Sequence, residues 1–119
     1  MKIDKTSRDG VAILKPYGKI TIGAGDVALR EAVVETLEGG EKSIILDLSQ
    51  VTTVDSSGIG EMVSGFTSVS NRKGALKLLN LPPKVTDILQ ITQLITVFEV
   101  YDDEDEAVAS FLPASGGSR

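Results

Sequence analysis

The chain contains no cysteine and no histidine, and each absence removes a class of chemistry. Without cysteine there is no disulfide, no thiolate nucleophile and no zinc-thiolate site, and the cysteine count assigns no compartment. Without histidine the commonest general base is missing, and with it the Ser-His-Asp arrangement and imidazole metal ligation. Long apolar runs are missing too. No stretch approaches the ~20 apolar residues of a membrane span. The opening MKIDKTSRDG has no apolar signal region, so a cytoplasmic protein without membrane insertion is expected. Positive charge is scarce, with 12 Lys and Arg against 17 Asp and Glu, a net charge of -5 and no basic run. A surface that neutralises phosphates is therefore absent, and direct nucleic-acid binding is not expected.

What is present describes one ordinary globular domain. At 119 residues, 41% hydrophobic and 24% charged, the chain can bury a single core but not two. Lys2 to Arg8, the turn dipeptide Asp9-Gly10 and the apolar Val11 to Leu14 read as a β-hairpin. Gly18 interrupts, and Lys19 to Ile22 reads as a short resumed strand. Asp26 is placed to cap a helix whose apolar residues Leu29, Ala32, Val33 and Leu37 recur at helical spacing before Gly39-Gly40 ends it. Ser43 to Leu48 is nearly continuous apolar, as in a central parallel strand covered on both faces.

Ile59, Met62, Val63, Phe66 and Val69 line one face of a further helix ending near Gly74, with Glu61, Ser64, Ser68 and Arg72 on the other. Ala75 to Leu79 reads as a strand, Pro82-Pro83 opens a short helix through Leu89, and Val97 to Tyr101 reads as a last strand. Acidic residues Asp102 to Glu106 suit the first turn of a C-terminal helix, closed by Pro113. Strands alternating with helices imply an α/β fold: a mixed, mostly parallel sheet packed against about four helices, with an N-terminal hairpin. Residues 1–112 form the expected domain and 113–119 a flexible tail.

The chemistry concentrates in VDSSGIGE, Val54 to Glu61, where an acid, two serines and two glycines stand between a strand and a helix. A serine nucleophile lacks a histidine base, and no G-x-S-x-G elbow occurs. Ser57-Gly58-Ile59-Gly60 has the geometry that offers N–H groups to an anion, but neither G-x-x-x-x-G-K-[ST] nor G-x-G-x-x-G is present. The acidic run Asp102 to Glu106 lacks the glycine and ligand spacing of a calcium loop, and Asp47 reads as a turn residue, so no metal or cofactor is indicated. Locally, Asp55-Ser56-Ser57-Gly58 is a helix N-cap, which uses one side-chain oxygen and leaves a hydroxyl over. A spare hydroxyl at a helix N-terminus also suits a phosphoryl group. Its charge of about -1.5 to -2 is tolerated by the helix dipole yet alters any surface docked there.

The run Ile44 to Val51 leading into Val54-Asp55-Ser56-Ser57-Gly58-Ile59-Gly60 resembles the signature of STAS domains, specifically the stand-alone bacterial anti-sigma-factor antagonists. The resemblance extends over nearly the whole chain, from the Gly18-Lys19-Ile20 turn to Leu78-Leu79-Asn80-Leu81 with a proline before the next helix. It implies that Ser56 is phosphorylated by a serine kinase of histidine-kinase-type ATPase fold that doubles as an anti-sigma factor, and reset by a PP2C-type phosphatase. It further implies that Asp55 positions the hydroxyl or the kinase contact and that Ser57 supports local hydrogen bonding. Gly58 and Gly60 would keep the loop open to close approach, and Glu61 and Ser64 would lie on the partner-binding helix face. One departure is Thr21, where many antagonists carry an acid. Thr21 is either a hydroxyl contact or a plain strand residue. The expected function is a non-enzymatic antagonist whose unphosphorylated form binds the anti-sigma factor. The alternatives are a non-switching STAS subunit of a larger signalling or transporter-associated complex, and a nucleotide-binding module using the Ser57 to Gly60 amides.

Overall fold

In a computed structural model that describes residues 1–112, the chain opens with β1 (Lys2–Arg8) and β2 (Val11–Ile20), an antiparallel hairpin turning at Asp9-Gly10. Then follow α1 (Gly25–Glu38), β3 (Ser43–Asp47), β4 (Val51–Val54) and α2 (Ser56–Asn71). The chain continues through β5 (Ala75–Leu79), α3 (Pro83–Ile91), a 3-10 turn (Leu94–Thr96), β6 (Val100–Tyr101) and α4 (Glu104–Ala109). The six strands form one sheet in the order β1-β2-β3-β5-β6, with β4 paired to β2, and every pairing after the hairpin is parallel. The expected mixed sheet, four helices and N-terminal hairpin are therefore all present. Pro113 and the tail 113–119 lie outside the described residues.

Alternation along the strands explains why β3 is apolar at nearly every position. Leu14, Ile44, Leu46, Leu76 and Leu78 face one side, where Leu29, Val33, Met62, Val69 and Leu89 from α1, α2 and α3 complete the main core. Val11, Ile13, Ile45 and Leu79 face the other side, where Ala107 and Val108 of α4 cover them. A strand with helices on both faces cannot afford a polar side.

Three local expectations are corrected. Lys19 to Ile22 is not a separate strand: β2 continues through Gly18, whose φ of 100° accommodates a register shift against β4, and ends at Ile20. Asp26 is not the N-cap of α1, because the helix begins one residue earlier; its Oδ1 instead accepts from the N–H groups of Gly23 and Val27. The last strand shrinks from Val97–Tyr101 to Val100–Tyr101, since Phe98 is drawn into the core and stacks edge-on against Phe66. β4 is a strand not named among the sequence expectations, whereas the turn assigned to Asp47 is present: Asp47 Oδ1 accepts from Ser49 N–H, and this turn hands the chain from β3 to β4.

The longest strand does two jobs. Ala12 to Leu14 of β2 pairs with β3, and Gly18 to Ile20 pairs with β4. The end of β2 is thereby brought beside the end of β4, which carries VDSSGIGE.

Candidate functional site

At the C-terminal end of β4 the backbone of Asp55 is extended, and its carboxylate caps α2: Oδ1 accepts from Gly58 N–H at 2.9 Å. Its other oxygen, Oδ2, accepts from Ile22 N–H at 3.0 Å, in the loop after β2. These bonds to the ionised form, that from Ile22 first, hold the Asp55 carboxyl below its ordinary pKa. The cap is therefore the aspartate, and capping requires neither serine. Ser56 is the exposed first residue of α2, whereas Ser57 is half-buried.

The two glycines divide. Gly58 is buried, and a Cβ there would stand 2.0 Å from the Ile20 carbonyl oxygen, so its missing side chain is what lets α2 start against the end of β2. The close approach it permits is made within the chain. Gly60 is exposed, and a Cβ there would meet nothing within 4 Å.

Glu61 and Ser64 occupy the next turns of α2. Glu61 Oε2 accepts from Arg30 Nη1 at 3.0 Å, tying α2 to α1, and Ser64 is exposed beside this pair. The cleft between the two helices has a volume of about 20 Å³, room for a water and not for a nucleotide. Thr21 stands just past the end of β2, half-buried, with its carbonyl accepting from Asp26 N–H at 3.0 Å; it belongs to the loop and not to the strand. Asp55, Ser56, Ser57, Gly58 and Thr21 thus gather at one end of the sheet, with Gly60, Glu61 and Ser64 continuing along α2.

Sequence reasoning missed Ile22 and Arg30. Ile22 is 75% exposed at the edge of this site. The available signal was an isolated apolar residue against a glycine turn, Ile22-Gly23-Ala24-Gly25, where a strand residue would be followed by others. Arg30 lies in α1, and nothing in the sequence pairs it with Glu61.

Among the described residues no group of three or more acidic side chains is arranged to hold a metal, and no helix is long and apolar enough to cross a membrane. A larger hollow of about 350 Å³ on the α4 side of the sheet is lined by both signs of charge, Asp4, Asp47 and Glu104 together with Lys15.

A sheet with α1, α2 and α3 on one face and α4 on the other, with an exposed hydroxyl at a strand-to-helix junction, defines a small α/β module. The chain belongs to the STAS domain family, whose model matches residues 2–107. It is similar to a Thermotoga maritima protein named as a candidate anti-sigma factor antagonist, with 31% identity over 84% of this chain and 88% of the relative. It is also similar to the anti-sigma-B factor antagonist of Bacillus subtilis, with 32% identity over 70% of this chain and 74% of that one. The crystal structure of a candidate anti-sigma factor antagonist from Thermotoga maritima superposes with a TM-score of 0.85, at 28% identity, over 92% of this chain and 93% of that one.

Proposed function

We propose that this chain is an anti-sigma-factor antagonist switched by phosphorylation at Ser56. The observation that carries the reading is that Ser56 is exposed at the start of α2 while Asp55 does the capping, so the hydroxyl is free of structural duty. The names of its relatives supply the class of partner. Unphosphorylated, the domain binds an anti-sigma factor that is also a serine kinase of histidine-kinase-type ATPase fold, and the sigma factor is released in the cytoplasm. Asp55, Ser57, Gly58, Gly60, Thr21, Glu61 and Ser64 frame or support the surface that the partner meets. The chain is a regulatory substrate of that kinase and not itself an enzyme.

A phosphoryl group on Ser56 brings a charge of about -1.5 to -2. The N-terminus of α2 tolerates it, because unpaired N–H groups and the helix dipole favour an anion there. A docked partner does not, because the dianion must be desolvated at the interface. A penalty of ~3 kcal/mol lowers affinity more than a hundredfold, enough for a switch. A PP2C-type phosphatase resets it.

The test is a screen of the histidine-kinase-type ATPases of the source organism with ATP and this chain, followed by phosphosite mapping by mass spectrometry. Phosphate on Ser56, lost in Ser56→Ala, is expected. Phosphate elsewhere, with Ser56→Ala still labelled, would sink the proposal. Identical partner binding by Ser56→Ala and Ser56→Asp would instead favour a non-switching STAS subunit.

A further inference from the structure

Ile22 is 75% exposed, yet its backbone is held by a hydrogen bond of its own and by bonds on either side. Its N–H donates to Asp55 Oδ2. On either side of it, Thr21 accepts from Asp26 N–H through its carbonyl, and Gly23 donates its N–H to Asp26 Oδ1 at 3.0 Å. A branched aliphatic side chain is thereby displayed to solvent on a fixed backbone.

Its position follows from the parallel ladder of β2 and β4. The last pair is Ile20 opposite Val54, and two residues further on the chains reach Ile22 and Ser56. The Asp55 carboxylate keeps the two segments together beyond the ladder, across 33 positions of sequence. The surface they share carries the ionised Asp55 and, just before Ile20, the exposed Lys19. Asp55 and Asp26 turn their carboxylates onto backbone N–H groups, and Glu61 is paired with Arg30. Exposed in these segments are Lys19, Ile22, Gly23, Ala24, Ser56 and Gly60.

We infer that Ile22 is the apolar anchor by which the protein partner that acts on Ser56 recognises this domain, and that the partner presents an apolar pocket to receive it. The inference rests on the reading of Ser56 as the phosphoacceptor. A preorganised aliphatic side chain loses little entropy on docking, and an anchor of this kind carries a large share of an interface's energy. Recognition is then a property of the folded domain. The residue that is modified and the residue that is gripped come from different segments and meet only because β4 pairs with β2. It also places the phosphoryl group beside an apolar contact, where a charge is most costly to desolvate.

The experiment measures binding of the full chain, by titration calorimetry, to the kinase that the phosphorylation screen selects, together with the rate of phosphate transfer to Ser56. Ile22→Ser is expected to weaken binding about thirtyfold, the loss of one buried isoleucine side chain. Phosphate transfer should slow with it, and Ile22→Leu should recover most of the loss. Ile91→Ser is the control: Ile91 is 82% exposed, and α3 runs back from the end of β5 to the start of the parallel β6, so it sits at the opposite end of the sheet. That variant is expected to bind as wild type does, with all melting temperatures unchanged. Equal binding by wild type and Ile22→Ser, with Ser56 still phosphorylated, overturns the anchor and leaves the proposed function standing. A peptide of Val51 to Ser64 phosphorylated as fast as the folded chain overturns it as well. A wild-type chain that no kinase of the screen binds or modifies overturns both.

Discussion

Asp55 and Ile22 are joined by a hydrogen bond of 3.0 Å from backbone N–H to carboxylate, while the other oxygen of the same carboxylate caps α2 through Gly58. One side chain therefore fixes both the loop after β2 and the start of the helix that bears Ser56. Because the two N–H groups favour the ionised form, the Asp55 pKa is lowered on folding. A carboxyl lowered in this way contributes stability that is fully present above its unfolded pKa of about 4 and lost as pH falls through the lower folded value. Asp55→Asn should melt below wild type at neutral pH. The gap should close on acidification below about pH 4, as thermal melts followed by circular dichroism will record.

Ser56→Ala and Asp55→Ala should part company in stability. With the cap assigned to Asp55, Ser56→Ala is expected to leave the unfolding free energy within about 0.5 kcal/mol of wild type, as for an ordinary surface change. Asp55→Ala should lower the melting temperature clearly. Were a serine the cap, Ser56→Ala would cost about 1 kcal/mol in a urea titration.

Gly58→Ala and Gly60→Ala, two residues apart in the same helix, should act with opposite sign. The added methyl at Gly58 would stand 2.0 Å from the Ile20 carbonyl oxygen, a backbone atom with nowhere to retreat, and about 3 kcal/mol of destabilisation is expected. At Gly60 a methyl meets nothing within 4 Å, so alanine should stabilise α2 by about 0.5–1 kcal/mol. Equilibrium denaturation of the two variants reads both signs.

Lys77 offers a test of how α4 is fastened. Although it is only 7% exposed, its Nζ lies 3.0 Å from Ser110 Oγ and 3.2 Å from the Ser110 carbonyl at the end of α4. It also lies 3.4 Å from Glu99 Oε1 and 4.4 Å from the centroid of the Phe111 ring. Lys77→Ala removes both stem and charge and should cost about 2–3 kcal/mol, while Lys77→Met keeps the stem and should cost under about 1.5 kcal/mol. In Lys77→Ala, amide exchange should accelerate first in α4, because a six-residue helix has little stability apart from what it packs on.

Much of this architecture was legible in the chain. The nearly continuous apolar run Ser43 to Leu48 announces a strand covered on both faces, and β3 is flanked by the main core on one side and α4 on the other. The spacing of Ile59, Met62, Phe66 and Val69 marks the buried face of α2. Asp102 to Glu106 marks the start of α4, where Asp103 caps through Glu106 N–H. The failures share a cause. Asp26 reads as a cap by its place after a glycine break, yet a backbone turn from Thr21 claims it first. Val97 to Tyr101 has strand composition, yet Phe98 is worth more against Phe66 than in the ladder. In each case a contact that composition does not encode, a turn for Asp26 and a distant ring for Phe98, outweighed the local preference.

The sequence by itself determined the order of elements, the face each helix buries and the place of the exposed hydroxyl, because periodicity and turn chemistry act over a few neighbouring residues. Only the tertiary structure decided that Asp55 and not a serine is the cap, that Gly58 serves Ile20, and that Ile22 is tied to Asp55, the residue before Ser56. Those facts depend on two segments 33 positions apart being held at hydrogen-bond distance by the pairing of β2 with β4, and no local pattern encodes which strands will meet.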